Sequence, residues 1–161
     1  MALKNTYPDY IPISLLLYFC MYKDSNVRIL ILQNFQLTPF GVIGEVIQER
    51  GGNITILMPA QGDILTSNTT DFDGLIILGG PMNAEDDESF PWLQNLITLI
   101  NQFHEERKPI LGSCLGAQVI ARVLNVNLGM SDKIKYQSER ENCNIPFRQY
   151  LRRKPEIFIL L

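Results

Sequence analysis

The chain has 161 residues, which is enough for one domain with a hydrophobic core of its own. Hydrophobic residues make up 46% of the sequence and charged residues 19%, as in ordinary globular proteins. The net charge of −3 lacks the basic footprint that a nucleic acid or an anionic membrane requires, so we expect neither as a partner.

The first 26 residues precede the globular pattern and are predicted to form an N-terminal extension. Their apolar segment, residues 11–22, is too short for a membrane-spanning helix, which takes about 20 residues. No small-residue cleavage site follows this segment. We therefore expect neither a secretion signal nor a membrane anchor there.

From residue 27 onward, apolar runs of strand length alternate with helical patterns. Strands are predicted at 27–32, 53–58, 74–78 and from 110, because such runs are typical of strands covered on both faces of a parallel sheet. Helices are predicted from Thr38, as an N-cap, to about Arg50, then from about Pro91 to 107, and over 117–124. In the second helix the residues expected to face the core are Leu93, Leu96, Ile97, Ile100 and Phe103. This alternation predicts a three-layer α/β fold with a mostly parallel, doubly wound sheet.

The regular pattern continues to about residue 130, so we assign residues 27–130 to one α/β domain. Residues 131–161 are irregular, apart from a suggested strand at 133–136 and an apolar end at 157–161. We predict that they form a diverged or truncated tail and leave the fold incomplete at its C-terminus. Sheet surface left uncovered in this way would favour self-association.

Three cysteines, Cys20, Cys114 and Cys143, are scattered along the chain without C-x-x-C spacing. This odd number indicates reduced thiols in the cytoplasm rather than a disulfide framework or a zinc site. We expect no metal and no other cofactor.

Cys114 lies in the motif Gly112-Ser113-Cys114-Leu115-Gly116, between a predicted strand and a predicted buried helix. This is the context of a nucleophile elbow, a sharp turn that needs small residues on either side of the nucleophile. The thiol would stand at the positive end of the helix, and the Leu115 amide would point to where an oxyanion forms. Gln118 lies one helical turn further on and can face the same pocket.

A second motif, Gly79-Gly80-Pro81, ends the third predicted strand. Open α/β sheets bind ligands at this carboxyl edge. Gly80 can present its amide to the same oxyanion, and Pro81 would fix the turn. An ordinary strand-ending loop would have the same residues, and the motif alone leaves that alternative open.

Residues 109–118, Pro-Ile-Leu-Gly-Ser-Cys-Leu-Gly-Ala-Gln, resemble the nucleophile segment of class I glutamine amidotransferases. Residues 79–83, the acidic loop 85–88 and Phe90-Pro91-Trp92-Leu93 are similar to the oxyanion segment of that family. The likeness is greatest to stand-alone proteins similar to the amidotransferase domain of GMP synthase, and it covers about residues 27–129.

The resemblance implies a flavodoxin-like, class I amidotransferase fold with glutamine as the small-molecule ligand. Cys114 would attack the glutamine side-chain amide, form a thioester and release ammonia, and water would then release glutamate. It further implies an oxyanion hole formed by the amides of Gly80 and Leu115, with Gln118 seating the substrate. The chain has no synthetase domain, so an ammonia-accepting partner would be a separate and unidentified protein.

The family completes its catalytic triad with a downstream His-x-Glu motif, and no histidine follows Cys114. The single histidine, His104, precedes the cysteine at a predicted helix end, so we expect no catalytic role for it. A positioned general acid–base contributes about 10²–10⁴-fold in rate. We therefore expect this chain by itself to be weak or inactive, as a truncated gene product or a pseudoenzyme would be.

Two alternatives remain open. A non-catalytic ligand-binding or regulatory module would retain the pocket without turnover. Another cysteine hydrolase could share the elbow, although it too would need a downstream histidine. A dinucleotide-binding fold is disfavoured, because residues 33–38 after the first strand lack a glycine-rich turn.

Overall fold

The computed structural model describes residues 27–125 and 157–160 of the chain. In chain order the elements are β1 (Arg28–Leu32), α1 (Gly41–Glu49), β2 (Asn53–Leu57), a 3₁₀ turn (Pro59–Gln61), β3 (Gly74–Ile77), α2 (Trp92–Glu105), β4 (Ile110–Ser113), α3 (Leu115–Leu124) and β5 (Ile157–Leu160). No helix within these described ranges is long and apolar enough to cross a membrane.

The five described strands form one sheet in the order β2-β1-β3-β4-β5, and all neighbours pair in parallel. One row of paired residues runs across four strands through Leu30, Leu75, Ile110 and Ile157. This strand order is that of flavodoxin-like doubly wound sheets. The predicted α/β fold class is therefore confirmed.

Helices cover both faces of the sheet, because successive strand residues point to opposite sides. On one face Leu30, Leu75 and Ile110 form a core with α2 and α3. On the other face Ile29, Ile31 and Ile76 pack with Ile47 of α1. Four consecutive residues of β1, 29–32, are fully buried, as a strand between two helical layers requires.

The structure corrects the predicted start of α1. We expected Thr38 to be its N-cap, but the helix begins at Gly41 with Phe40 in the N-cap position and no side-chain capping bond. The Thr38 hydroxyl oxygen instead lies 2.9 and 3.1 Å from the main-chain carbonyl oxygens of Phe35 and Gly79, within donating distance of each. A tertiary hydrogen bond has taken the place of the local cap.

The structure also adds a strand that the sequence did not indicate. Residues 157–160, placed within the predicted tail, form β5 and pair with β4 from Ile110 to Ser113. The suggested strand at 133–136 lies outside the described residues.

Candidate active site

The candidate site lies at the carboxyl edge of the sheet, where β1, β3 and β4 end side by side. The chain leaves β1 for β2 on one side, while β3 lies on the other side, so the winding direction reverses between β1 and β3. Doubly wound sheets bind ligands at such a switch point. The Gly79-Gly80 segment follows β3, and Cys114 follows β4.

Cys114 occupies a sharp turn between β4 and α3. Its backbone angles are φ 51° and ψ −108°, and it is one of three non-glycine residues with positive φ among those described. Such a conformation costs about 1–3 kcal/mol and persists only where the surrounding structure enforces it. The thiol is free and exposed at the head of α3. These are the features of a nucleophile elbow.

The glycines on either side of the cysteine are required by close packing. A Cβ atom built on Gly112 would lie 2.5 Å from Cδ1 of Ile120 and 2.7 Å from the carbonyl oxygen of Gly116. A Cβ on Gly116 would lie 2.2 Å from the carbonyl oxygen of Ile77. Real Cβ atoms essentially never approach within 3.0 Å, so neither site accommodates a larger residue without a backbone shift.

The structure brings the two sequence motifs together. A Cβ built on Gly79 would lie 3.4 Å from Cβ of Cys114 and 4.0 Å from its Sγ. A Cβ on Gly80 would lie 3.0 Å from the Leu115 side chain. The two glycines therefore lie between the end of β3 and the nucleophile turn. Pro81, the next residue, is exposed.

Gln118, the predicted substrate-seating residue, lies on α3 and is half-buried. Its backbone N–H donates to the carbonyl of Cys114 at 3.1 Å, which closes the first turn of the helix. The side chain therefore starts one helical turn beyond the thiol, and its role in seating the substrate stays a prediction.

Two polar residues that the sequence analysis did not assign to the site lie next to Gly79 and Gly80. Asn34 is fully buried and donates from Nδ2 to the carbonyl of Leu78 at 2.7 Å. Thr38, which we predicted only as a helix cap, donates to the carbonyl of Gly79. Both residues follow β1, and polar residues just beyond a buried strand are the signal that could have identified them.

An ion pair ties the acidic loop after the Gly-Gly-Pro segment to α3. Arg122 donates from its two terminal guanidinium nitrogens to Asp87, at 2.7 and 2.5 Å, and also to the carbonyl of Ala84 at 2.6 Å. Gln94 donates to the same carboxylate at 2.5 Å. The hydrogen bonds from Arg122 hold the pKa of Asp87 below its ordinary value. Arg122 is one turn beyond Gln118, a helical spacing that could have indicated this contact.

His104 lies in the last turn of α2. The residues just beyond it belong to the amino edge of the sheet, since Glu106 accepts a short hydrogen bond from Thr69, and Lys108 donates to the Thr69 carbonyl at 2.7 Å. Thr69 precedes β3, whereas Cys114 follows the far end of β4. The four residues of β4 separate these two edges by about 13 Å at 3.3 Å per residue. His104 is therefore not placed to accept a proton from the thiol.

No group of three or more His, Cys, Asp or Glu side chains within 27–125 and 157–160 is arranged to hold a metal ion. What the described site offers is an exposed thiol at a helix N-terminus beside a glycine-lined strand end. That arrangement suits attack on a carbonyl carbon with main-chain amides facing the resulting oxyanion.

Residues 41–158 match the model of the family described as glutamine amidotransferase class-I. A glutamine amidotransferase-like protein of Acanthamoeba polyphaga mimivirus is 31% identical over 106 residues, covering 66% of this chain and 49% of that protein. Gamma-glutamyl peptidase 3 of Arabidopsis thaliana is 28% identical over 95 residues, covering 58% of this chain and 37% of that protein.

Among solved structures, a glutamine amidotransferase from Thermotoga maritima superposes with a TM-score of 0.58 at 28% identity. The superposed part covers 61% of this chain and 43% of the Thermotoga protein. The chain thus spans half or less of the length of these relatives. That it resembles the amidotransferase domain of GMP synthase more than other members of the family stays a prediction. The family match extends over most of the chain and includes both motifs of the site. The chain belongs to the class I glutamine amidotransferase family.

Proposed function

We propose that Cys114 is the nucleophile of a glutamine-hydrolysing site. The thiolate adds to the side-chain amide carbon of glutamine, and the C–N bond then breaks as the nitrogen takes up a proton and leaves as ammonia. Water adds to the resulting thioester, the C–S bond breaks, and glutamate and the thiol are released. The strained, exposed elbow at Cys114, with Gly79 against it, is the observation that carries this proposal.

The negative charge that develops on the substrate oxygen needs donors already in place. In this proposal they are the amides of Leu115, at the head of α3, and of Gly80, after β3. Support comes from the packing of Gly80 against the Leu115 side chain, which places the two residues side by side. Loss of a single oxyanion donor costs about 10²–10³-fold in kcat.

The proposal includes weak turnover by the 161-residue chain on its own. No histidine follows Cys114 in the sequence, and His104 belongs to the opposite edge of the sheet. Without a positioned imidazole the thiol must lose its proton to water, and the departing nitrogen has no acid beside it. Capture of the ammonia would require an enzyme that accepts it, and such an enzyme would be the partner.

The first experiment measures glutamate release from glutamine by the purified chain, with Cys114→Ala and Cys143→Ala beside it. Cys143→Ala is the matched control, because it removes a thiol outside the motif. We expect slow release that Cys114→Ala abolishes and Cys143→Ala leaves unchanged. Release that survives in Cys114→Ala would contradict the proposal.

Calorimetric titration with glutamine distinguishes a glutamine hydrolase from a non-catalytic module that only binds the ligand. Binding by the chain, with no release above that of Cys114→Ala, would favour the non-catalytic ligand-binding module over the hydrolase. Absence of both binding and release would contradict the proposed substrate.

A second candidate substrate is a γ-glutamyl peptide, favoured by the similarity to gamma-glutamyl peptidase 3. Its scissile bond is also an amide at the γ-carbonyl of a glutamyl group, so the same attack and oxyanion would serve. Only the leaving group differs, an amino acid in place of ammonia. A γ-glutamyl dipeptide assayed in parallel decides between them, and faster release from the dipeptide would favour the peptidase.

A further inference from the structure

The loop after β1 holds the main chain of the β3 end at two successive carbonyls. Asn34 Nδ2 donates to the Leu78 carbonyl at 2.7 Å, and Thr38 Oγ1 lies 3.1 Å from the Gly79 carbonyl. Leu78 is also tied back to β1, since its N–H donates to the Leu32 carbonyl at 2.9 Å. The segment that leads to Gly80 is therefore fixed from the β1 side.

The Thr38 hydroxyl has one proton and two nearby carbonyls, those of Phe35 and Gly79. The two lone pairs of the Phe35 carbonyl already accept the Thr38 backbone N–H at 3.0 Å and Nε2 of Gln33 at 3.2 Å. The hydroxyl proton is therefore available to the Gly79 carbonyl, which accepts no other hydrogen bond from the described residues. This contact joins residues 41 positions apart in the sequence.

The Gly79 carbonyl and the Gly80 N–H belong to the same planar peptide unit and point in opposite directions. A hydrogen bond that holds the carbonyl toward Thr38 therefore directs the Gly80 N–H away from Thr38. Rotation of this peptide would reverse both groups, and it meets little steric resistance because neither flanking residue has a Cβ atom. The peptide needs a partner to select one orientation.

We infer that Thr38 is a positioning residue that sets the orientation of the Gly79–Gly80 peptide and so keeps the Gly80 amide available to the oxyanion. This inference rests on the proposed function, in which Gly80 is an oxyanion donor. Thr38 touches no reacting atom and acts through the peptide that it holds.

The peptide can be observed directly, because the sequence contains two Gly-Gly pairs, Gly51-Gly52 and Gly79-Gly80. In the full chain labelled with glycine carrying both ¹³C at the carbonyl and ¹⁵N, an HNCO spectrum shows one cross-peak for each pair. The Gly80 peak reports the Gly79 carbonyl and the Gly80 amide together. The Gly52 peak is an internal control, since its N–H donates to the Ile47 carbonyl at the end of α1.

We expect Thr38→Val to shift the Gly80 peak and leave the Gly52 peak in place, while Thr38→Ser retains the native Gly80 peak. The matched control is Thr98→Val, which removes an exposed hydroxyl that donates to Gln94 on α2. If the Gly52 peak is lost, Thr38→Val has not folded, and Thr38→Ala makes the same test. A Gly80 peak unchanged on loss of the hydroxyl would overturn the inference.

Alkylation of Cys114 supplies the functional readout. The chloromethyl ketone analogue of glutamine accepts the thiolate at its carbonyl, which forms an oxyanion before sulfur displaces chloride. Iodoacetamide loses iodide in direct displacement and forms no oxyanion. Thr38→Val is expected to slow the chloroketone reaction by up to about 10²-fold, the effect of losing one oxyanion donor, and to leave the iodoacetamide rate unchanged.

The two proposals fail in different ways. A native chain in which the chloroketone labels Cys114 no faster than it labels Cys143 contradicts the proposed function, whatever the Gly80 peak does. A native chain that reacts selectively at Cys114, with Thr38→Val reacting equally fast, contradicts the inference alone.

Discussion

Gly116 lies so close to Ile77 that a Cβ atom on the glycine would be 2.2 Å from the Ile77 carbonyl oxygen and 2.9 Å from the carbonyl carbon. The first turn of α3 therefore rests directly on the end of β3. Because β3 leads into Gly79 and Gly80, this contact fixes the distance between the nucleophile turn and the glycine-lined strand end. The absence of a side chain at position 116 thus serves both the fold and the site.

Gly116→Ala is expected to destabilise the chain by about 3 kcal/mol or more, because overpacking against a backbone cannot be relieved by a side-chain rotation. Urea unfolding followed by circular dichroism measures the change. Gly62→Ala is the comparison, since Gly62 has φ 99° and open space around its Cα. That variant is strained but not crowded and should lose only about 1 kcal/mol. Equal losses in the two variants would refute the steric explanation.

The backbone strain at Cys114 gives a second prediction. With φ at 51° and ψ at −108°, glycine tolerates position 114 better than alanine does. Cys114→Gly is expected to be more stable than Cys114→Ala by about 1 kcal/mol, although glycine is usually the less stable choice outside such positions. Thermal unfolding of the two variants decides it, and an alanine variant at least as stable as the glycine variant would mean that the turn is relaxed.

The elements were largely predictable because buried parallel strands have a distinctive apolar pattern. The four strands expected from the sequence appear within about two residues of their predicted ends. The buried face of α2 shifted slightly, since Leu99 is buried and Ile97 is only half-buried. An i, i+3, i+4 stripe fixes the centre of a helix face, while its margins depend on the neighbouring helix, here α3.

Features that depend on contacts between distant parts of the chain were harder to predict from the sequence. β5 is four apolar residues with no helical pattern immediately before them, and its pairing with β4 joins segments more than forty residues apart. Thr38 satisfied the local rule for an N-cap, but its hydroxyl lies within hydrogen-bond distance of the Gly79 carbonyl, just beyond the end of β3. The two glycine motifs could be recognised in the sequence, but their contact through Gly79 and Cys114 depends on β3 and β4 being neighbours.

The Asp87–Arg122 ion pair predicts a pH-dependent contribution to stability. Its hydrogen bonds place the pKa of Asp87 in the folded chain below the ordinary value of 3.8. As the pH falls, the unfolded chain therefore takes up this proton first, so the stabilisation is present above pH 3.8 and is lost as the pH falls below it.

Asp87→Asn should accordingly cost about 1 kcal/mol at pH 7, the upper range for partly exposed pairs. The difference from the native chain should shrink as the pH falls below 3.8. Urea unfolding across this pH range measures it, with the neighbouring Asp86→Asn as control. A difference that stays constant with pH would show that the pair does not act through the ionised carboxylate.

The absence of a histidine after Cys114 predicts chemical rescue. Imidazole added to the assay should accelerate glutamate release by the native chain, recovering part of the roughly 10²–10⁴-fold that a positioned acid–base supplies. Cys114→Ala should not respond, because it has no thiol to deprotonate.

His104→Gln should release glutamate at the native rate, with or without imidazole. A marked loss in His104→Gln would place this residue in the reaction and contradict its assignment to the opposite edge of the sheet.

Asn34 offers a test of the brace on the β3 end that does not depend on turnover. In Asn34→Asp the donor to the Leu78 carbonyl is replaced by a carboxylate oxygen, which would lie fully buried against another oxygen. We expect a loss of about 3 kcal/mol at pH 7, since a buried charge is left without a partner. Burial raises the pKa of such a carboxyl in the folded state, so lowering the pH should restore stability as the protonated acid regains a donor. Asn101→Asp, at an exposed position on α2, makes the same chemical change as a control. The unfolding free energy of Asn34→Asp, relative to that control, should rise as the pH is lowered from 7 to 5. If it does not rise, the Asn34–Leu78 contact contributes little to holding the strand end.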